Sequence, residues 1–371
     1  MQPDVIVVGG GLMGCSTAYQ LAKNDVSVLL LERSVPGAEA SSAAAGILGP
    51  GVESAQDAFA LQLGRRSREL HAVLAEELVE LFGVDVGFRR SGVIELAFDD
   101  AGKQKLDAHA AALAVQGVRS ETWSAEELRH EEPACNPEAI GALHIAEDAQ
   151  VEPKSLLSAV ALGAEREGVV FRSGATVRRV VIEGDRARGV EVDGEIVEAD
   201  RVVVAAGSWT TLIPGIRLHA DTIYPVRGQM IETRTRPPIF RRIVFGAGGY
   251  VVTRPDGRVL CGSTEERVGF ARGITLQGMS HVIETARRIA PGLGDATVEG
   301  HWSNFRPGTP DGLPLVGETR IEHLLLASGH YRNGILLAPL TASLIADAVM
   351  GVAPSKAAEA LSPQRFEESS E

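Results

Sequence analysis

Three cysteines in 371 residues are too few for a disulfide framework. The count is odd, and Cys15, Cys135 and Cys261 match no zinc-ligand spacing, so free thiols in a reducing compartment are expected. Positive charge is also short. Lys and Arg number 36 against 49 Asp and Glu, leaving a net charge of −13. Such a chain is a poor partner for nucleic-acid phosphates or anionic lipid, although one buried arginine can still hold an anionic substrate. Long apolar runs are missing too. The nearest to a membrane span, 334–352, contains Pro339 and Asp347 and is broken by Thr and Ser, so it reads as a buried helix. Met1-Gln2-Pro3-Asp4 lacks the basic start of a secretory signal, and a cytoplasmic location is expected. No internal repeat or free linker is visible. The sequence leaves a homo-oligomer open.

Hydrophobic residues make up 44% and charged residues 23%, ordinary globular values. The length suits two domains, or one large discontinuous one. Val5–Val8 is a short apolar run that reads as a buried parallel strand. A helix is expected over 15–24, and a second buried strand over 26–31. Helices are also expected over 55–82, 101–116, 124–132, 154–167 and 281–289. Ser124 and Glu127 fit a capping box at the third of these. Strand patterns run over 91–98, 169–181, 188–197, 201–206, 223–232, 249–262 and 323–327.

Gly9-x-Gly11-x-x-Gly14 lies between the first strand and the first helix, and Glu32 closes the second strand 18 residues after Gly14. That context gives each residue a task in binding a dinucleotide. Gly9 permits the tight turn, Gly11 lets backbone approach a pyrophosphate, and Gly14 lets the helix pack on the strand. The helix N-terminus offers N–H groups to the phosphates. Glu32 accepts from a ribose diol, and its charge disfavours a 2′-phosphate, hence NADP. Two later buried strands end in small residues, at Ala206-Gly207 and Ala327-Ser328-Gly329. Three such strand ends favour a long ligand, FAD, over NAD.

Five segments together resemble the D-amino-acid oxidase superfamily of flavoenzymes, in particular its glycine oxidase branch. They are Ser41-Ser42-Ala43-Ala44-Ala45-Gly46, Val151-Glu152-Pro153, Pro225-Val226-Arg227-Gly228-Gln229, Arg306-Pro307-Gly308-Thr309-Pro310-Asp311-Gly312 and Gly329-His330-Tyr331-Arg332-Asn333-Gly334-Ile335-Leu336. They span the chain in the family's order. The resemblance implies an α/β two-domain fold. A glutathione-reductase-like, Rossmann-type FAD domain (1–50, 140–220 and 300–371) interleaves with a substrate domain on an antiparallel sheet (51–139 and 221–299). It implies non-covalent FAD contacted by Gly9, Gly11, Leu12, Met13, Gly14, Glu32, Arg33, Ser41, Ser42, Ala45, Gly46 and Ile47. Val177, Ala206, Gly207, Trp209, His330, Tyr331, Arg332, Asn333, Gly334, Ile335 and Leu336 complete that set.

The resemblance also implies an amino-acid substrate whose carboxylate is bound and oriented by Arg306, Tyr250 and Arg332, with molecular oxygen as second substrate. An arginine can grip a carboxylate bidentately, fixing rotation as well as position. The helix from about Gly334 is expected to present its N-terminus to the flavin pyrimidine, and His330 is expected to be structural. Two positions depart from the glycine oxidase pattern. Gly248 stands where some members carry His, and Glu265 where some carry Met. The lost bulk is expected to widen the entrance. Three readings stay open: a glycine oxidase, an oxidase of a bulkier N-substituted glycine such as an N-carboxymethyl amino acid, and an amino-acid dehydrogenase passing electrons to a quinone.

Overall fold

The computed structural model describes residues 2–366. Its first sheet has six strands in the spatial order Leu315–Glu318, Leu324–Ser328, Arg201–Val204, Val5–Val8, Val28–Glu32 and Val170–Ser173. All neighbours run parallel except Leu315–Glu318 against Leu324–Ser328. The central strands are apolar throughout because both faces are covered. Val5, Val7, Val203 and Leu325 pack under helices Leu12–Ala22, Pro153–Arg166 and Gly334–Val349. Ile6, Val8, Val202, Val204 and Leu326 face the other way, against Val180, Val190 and Val192. Those valines come from a three-stranded antiparallel meander, Val177–Glu183, Arg186–Val192 and Glu195–Glu198.

The second sheet has eight strands, ordered Val298–Gly308, Tyr224–Arg234, Arg258–Gly262, Gly249–Thr253, Ile243–Gly246, Val93–Ala97, Gly141–Ile145 and Glu121–Ser124. It is antiparallel except where Ile243–Gly246 runs beside Val93–Ala97. Helix Leu276–Ile289 covers one face, with Val282, Ala286 and Ile289 against Val244, Val251 and Cys261. Two strands lie across the expected domain limits. Gly141–Ile145 pairs in this sheet although it follows residue 140, and Val298–Gly308 carries the sheet past residue 300.

Helix Gly334–Val349 contains Pro339. Proline has no N–H, so the carbonyl four residues earlier, on Ile335, loses its helical donor. Nε2 of His71 supplies the replacement at 2.8 Å, and the Ser67 hydroxyl donates to the Leu336 carbonyl at 2.6 Å. Both donors sit on helix Ala58–Phe82, so one helix repairs the other. Burial pushes the His71 pKa down to about 4, which keeps the ring neutral.

The expected helices over 55–82, 101–116, 124–132 and 154–167 are present within a few residues, as Ala58–Phe82, Asp100–Val115, Ala125–Glu131 and Pro153–Arg166. The Ser124–Glu127 capping box is formed in both directions. The run 169–181 is not one strand but two, Val170–Ser173 and Val177–Glu183, which belong to different sheets. Helix Leu276–Ile289 starts five residues before the expected 281, capped by the Thr275 hydroxyl on the Gly278 N–H.

Candidate active site

The first strand ends at Gly9, whose φ of +109° few side chains tolerate. A Cβ there would stand 2.6 Å from the Ala205 carbonyl oxygen, and one on Gly14 would stand 1.9 Å from the Gly9 carbonyl oxygen. The strand, its neighbour and the helix can therefore meet only as glycines. Gly11 caps helix Leu12–Ala22 without a side-chain hydrogen bond. The Ser41 hydroxyl takes the Leu12 N–H at 2.9 Å, while the other early N–H groups have no intrahelical acceptor. Glu32 accepts from the Gly10 and Ser34 N–H groups at 2.7 and 2.8 Å, which fixes its carboxylate at the groove.

One continuous cavity joins this groove to the second sheet. Its wall includes Gly9, Gly11, Leu12, Met13, Glu32, Arg33, Ser41, Ala45, Gly46, Ile47, Val177, Ala206, Gly207 and Trp209. It continues past His330, Tyr331, Arg332, Asn333, Gly334 and Ile335, where helix Gly334–Val349 starts without a side-chain cap. Two uncapped helix N-termini thus open on one long cavity, the donor arrangement an anionic dinucleotide requires. Gly14, Ser42 and Leu336 stand outside this wall. Gly14 packs on Gly9, Ser42 lies against Gly37, and Leu336 belongs to the core. Segment 45–46 is pinned by buried Arg254, which donates to the Ala45 carbonyl at 2.6 Å and to Gln150 at 2.7 Å.

Where the cavity reaches the second sheet, its wall carries Gly228, Met230, Tyr250 and Arg306. Arg306 lies on strand Val298–Gly308 and not in the loop that its Pro-Gly surroundings suggest. Its Nη2 donates to the Ser263 hydroxyl at 2.5 Å and its Nη1 to the Thr264 carbonyl at 3.2 Å. No carboxylate among the described residues pairs with it. Tyr250 is buried, 5.5 Å from the ring of Phe245, with its hydroxyl 3.9 Å from Met230 Sδ.

Arg332 differs. Nε and Nη2 form two bonds to the Glu53 carboxylate at 2.8 and 2.7 Å, and Nη1 lies 3.6 Å from Glu265. Its charge is already matched, whereas that of Arg306 is not. Gly248 lies in an exposed turn off the cavity wall, and a Cβ there would face His281 at 4.0 Å. Glu265, also off the cavity wall, brings its carboxylate to 3.6 Å from Arg332. His330 is buried and bonded to Thr341 at 2.8 Å, as suits a structural residue. All three cysteines are buried and free, with their thiols pushed up to about 12.

Sequence reasoning did not single out Glu53, Met230, Ser263 or Thr264. Nothing local marks Glu53, whose partner is 279 positions away. Gly228 stood inside a family-like segment, and its reason is now geometric: a Cβ there would fall 2.3 Å from Arg306 Nη1.

The family described as FAD dependent oxidoreductase matches residues 4–348. The chain belongs to this FAD dependent oxidoreductase family. FAD is the family's cofactor, and the two helix N-termini, the glycine cradle and Glu32 fit it. The glycine oxidase of Geobacillus kaustophilus is 35% identical over 351 residues, covering 93% of this chain and 92% of that protein. The crystal structure of glycine oxidase from the same organism superposes with a TM-score of 0.93 at 32% identity, covering 99% of this chain and all of that one. The bifunctional protein ThiO/ThiG of Synechocystis is 34% identical over 98% of this chain. The chain spans about half the length (54%) of that bifunctional relative. An iminodiacetate oxidase structure from Chelativorans has a TM-score of 0.89 at 27% identity, over 97% of this chain and 99% of that one. Within the FAD dependent oxidoreductases, this member therefore resembles proteins named as glycine oxidases and an iminodiacetate oxidase.

Proposed function

We propose that this chain oxidises the amine of glycine, with oxygen as the electron acceptor. The observation that carries the reading is Arg306, a cation held by neutral partners on the same cavity wall as the buried Tyr250. Arg306 takes the substrate carboxylate and Tyr250 adds a hydrogen bond, which fixes Cα and one of its hydrogens in direction. FAD, when bound, supplies the two-electron acceptor for the Cα hydride and passes the electrons to oxygen. The amine enters neutral, its lone pair forms the C=N bond as the hydride leaves, and the iminium gives a proton to water. Water then adds to the imine, giving glyoxylate and ammonia, and oxygen takes two electrons and two protons to give hydrogen peroxide. No general base is required; His330, on the cavity wall, and His71, bonded to the Ile335 carbonyl, are buried and engaged in other bonds. The three free thiols fit a reducing cytoplasm.

A secondary amine carrying one carboxylate, such as sarcosine, is a second reading, since the iminodiacetate oxidase that resembles this chain is named for a secondary amine. Anaerobic addition of glycine, sarcosine and D-alanine to the yellow protein tests both. Glycine is expected to bleach the flavin, and admitted air to restore it with one peroxide per turnover. No bleaching by any of the three amines would overturn the proposal.

A further inference from the structure

The charges around the substrate end of the cavity do not stop at the clamp. Arg332 sits between two carboxylates, bonded twice to Glu53 and 3.6 Å from Glu265. Arg306 donates to the Thr264 carbonyl at 3.2 Å, so Glu265 follows one residue after the clamp's own partner. Glu266, the next residue, is spoken for by a bidentate bond from Arg227 at 2.9 and 3.0 Å. Counting the groups left, Arg306 and Arg332 supply two positive charges, and Glu53 and Glu265 two negative ones. The cluster is neutral when empty and carries −1 with one substrate carboxylate on Arg306. Neither Arg306 nor Arg332 would then be free to receive a second carboxylate. It would also have to displace Glu265 or lie beside it.

Resting on the reading above, we infer that Glu265 is a specificity-determining residue that limits this site to monocarboxylic amines, admitting glycine and N-alkylglycines with uncharged substituents and rejecting N-carboxymethyl ones. The rejection is electrostatic. Glu265 is half-exposed, at 53% of its side chain, so it has room to move. Steric bulk at the same position would exclude a neutral N-ethyl group as strongly as a carboxymethyl group, whereas a charge separates them.

The test uses the FAD-loaded protein and two acids that cannot be oxidised as amines. Methoxyacetate has the shape of sarcosine, and diglycolate that of iminodiacetate. Dissociation constants are read from the flavin absorbance change in wild type, Glu265→Gln and Glu265→Lys. Wild type is expected to bind methoxyacetate at least ~10-fold more tightly than diglycolate, the scale of one partly solvated charge several ångströms away. Glu265→Gln should narrow that ratio about fivefold, Glu265→Lys should narrow it further, and added salt should narrow it in wild type but not in Glu265→Gln. The kcat/KM ratio of sarcosine to iminodiacetate should move in parallel. Equal binding of the two acids by wild type, or a ratio unchanged in both variants, would overturn the inference while leaving glycine oxidation intact. If neither acid perturbs the flavin and no amine is oxidised, the functional reading itself fails.

Discussion

The guanidinium of Arg306 lies flat on the backbone of Gly228, so close that a single methyl group there would overlap it. The two residues sit on adjacent antiparallel strands, with Val226 opposite Arg306 and Gly228 opposite Asn304. The proposed clamp is therefore aimed by a strand register and by one missing side chain. The Ser263 hydroxyl and the Thr264 carbonyl hold it from the other side.

Gly228→Ala should displace the clamp without touching the FAD groove. The expected result is a KM for glycine raised about tenfold or more, with the flavin spectrum and content unchanged. Arg306→Gln removes the charge itself and should cost about a hundredfold in kcat/KM, the scale of a lost charge-assisted pair. Steady-state kinetics beside a flavin-to-protein ratio separates the two sites.

Gly14→Ala should act on the cofactor. Its Cβ would meet the Gly9 carbonyl oxygen at 1.9 Å, so helix Leu12–Ala22 must move off the strand. Purified protein is expected to be colourless or to lose FAD on gel filtration, and to unfold at a lower temperature. A variant with full flavin content would show that the contact is less strict than the geometry requires.

Stability should fall in mild acid because of His71. Its folded pKa is about 4, against 6.5 for a free histidine. A depressed histidine stabilises the fold fully above the unfolded value, and that stabilisation is lost as pH falls from about 6.5 to 4. The whole loss is about 3 kcal/mol at ~1.4 kcal/mol per pH unit. The buried carboxyl of Asp148, pushed up to about 6, acts in the opposite sense over part of this window. The measurement is therefore a comparison of wild type with His71→Gln in denaturant unfolding at pH 7, 6 and 5. Gln can still donate to the Ile335 carbonyl, and its stability should depend less steeply on pH.

The thiols should be inert. Cys15, Cys135 and Cys261 are buried, and burial pushes each thiol up to about 12. A thiol reagent such as DTNB is expected to find none in the folded protein and three after denaturation, and denaturation should release all FAD into the supernatant. Retained yellow colour in the pellet would reveal a covalent bond to flavin.

Much of the cofactor half was legible in the chain because its determinants are local. A four-residue apolar strand, three glycines at fixed spacing, a helix and an acid all fall within 32 residues, and steric rules assign each a place. The helices of the second half were legible for the same reason, since periodicity and the Ser124–Glu127 box act over a few residues. Strand Val298–Gly308 was not. Its polar, half-exposed sequence has no alternation to read, and its pairing with Tyr224–Arg234 depends on residues some 75 positions away.

The sequence by itself determined a glycine-rich strand–helix turn suited to a dinucleotide, and the family resemblance led to the expectation that an arginine would face an acid substrate. Tertiary structure alone decided which arginine is free. Arg306 and Arg332 carry the same charge and stand 26 positions apart, but Glu53 folds onto Arg332 from the far end of the chain while Ser263 and Thr264 leave the charge of Arg306 unmatched. A charge's availability depends on what surrounds it in space, and in the low-dielectric cavity between two sheets that surrounding is set by distant residues.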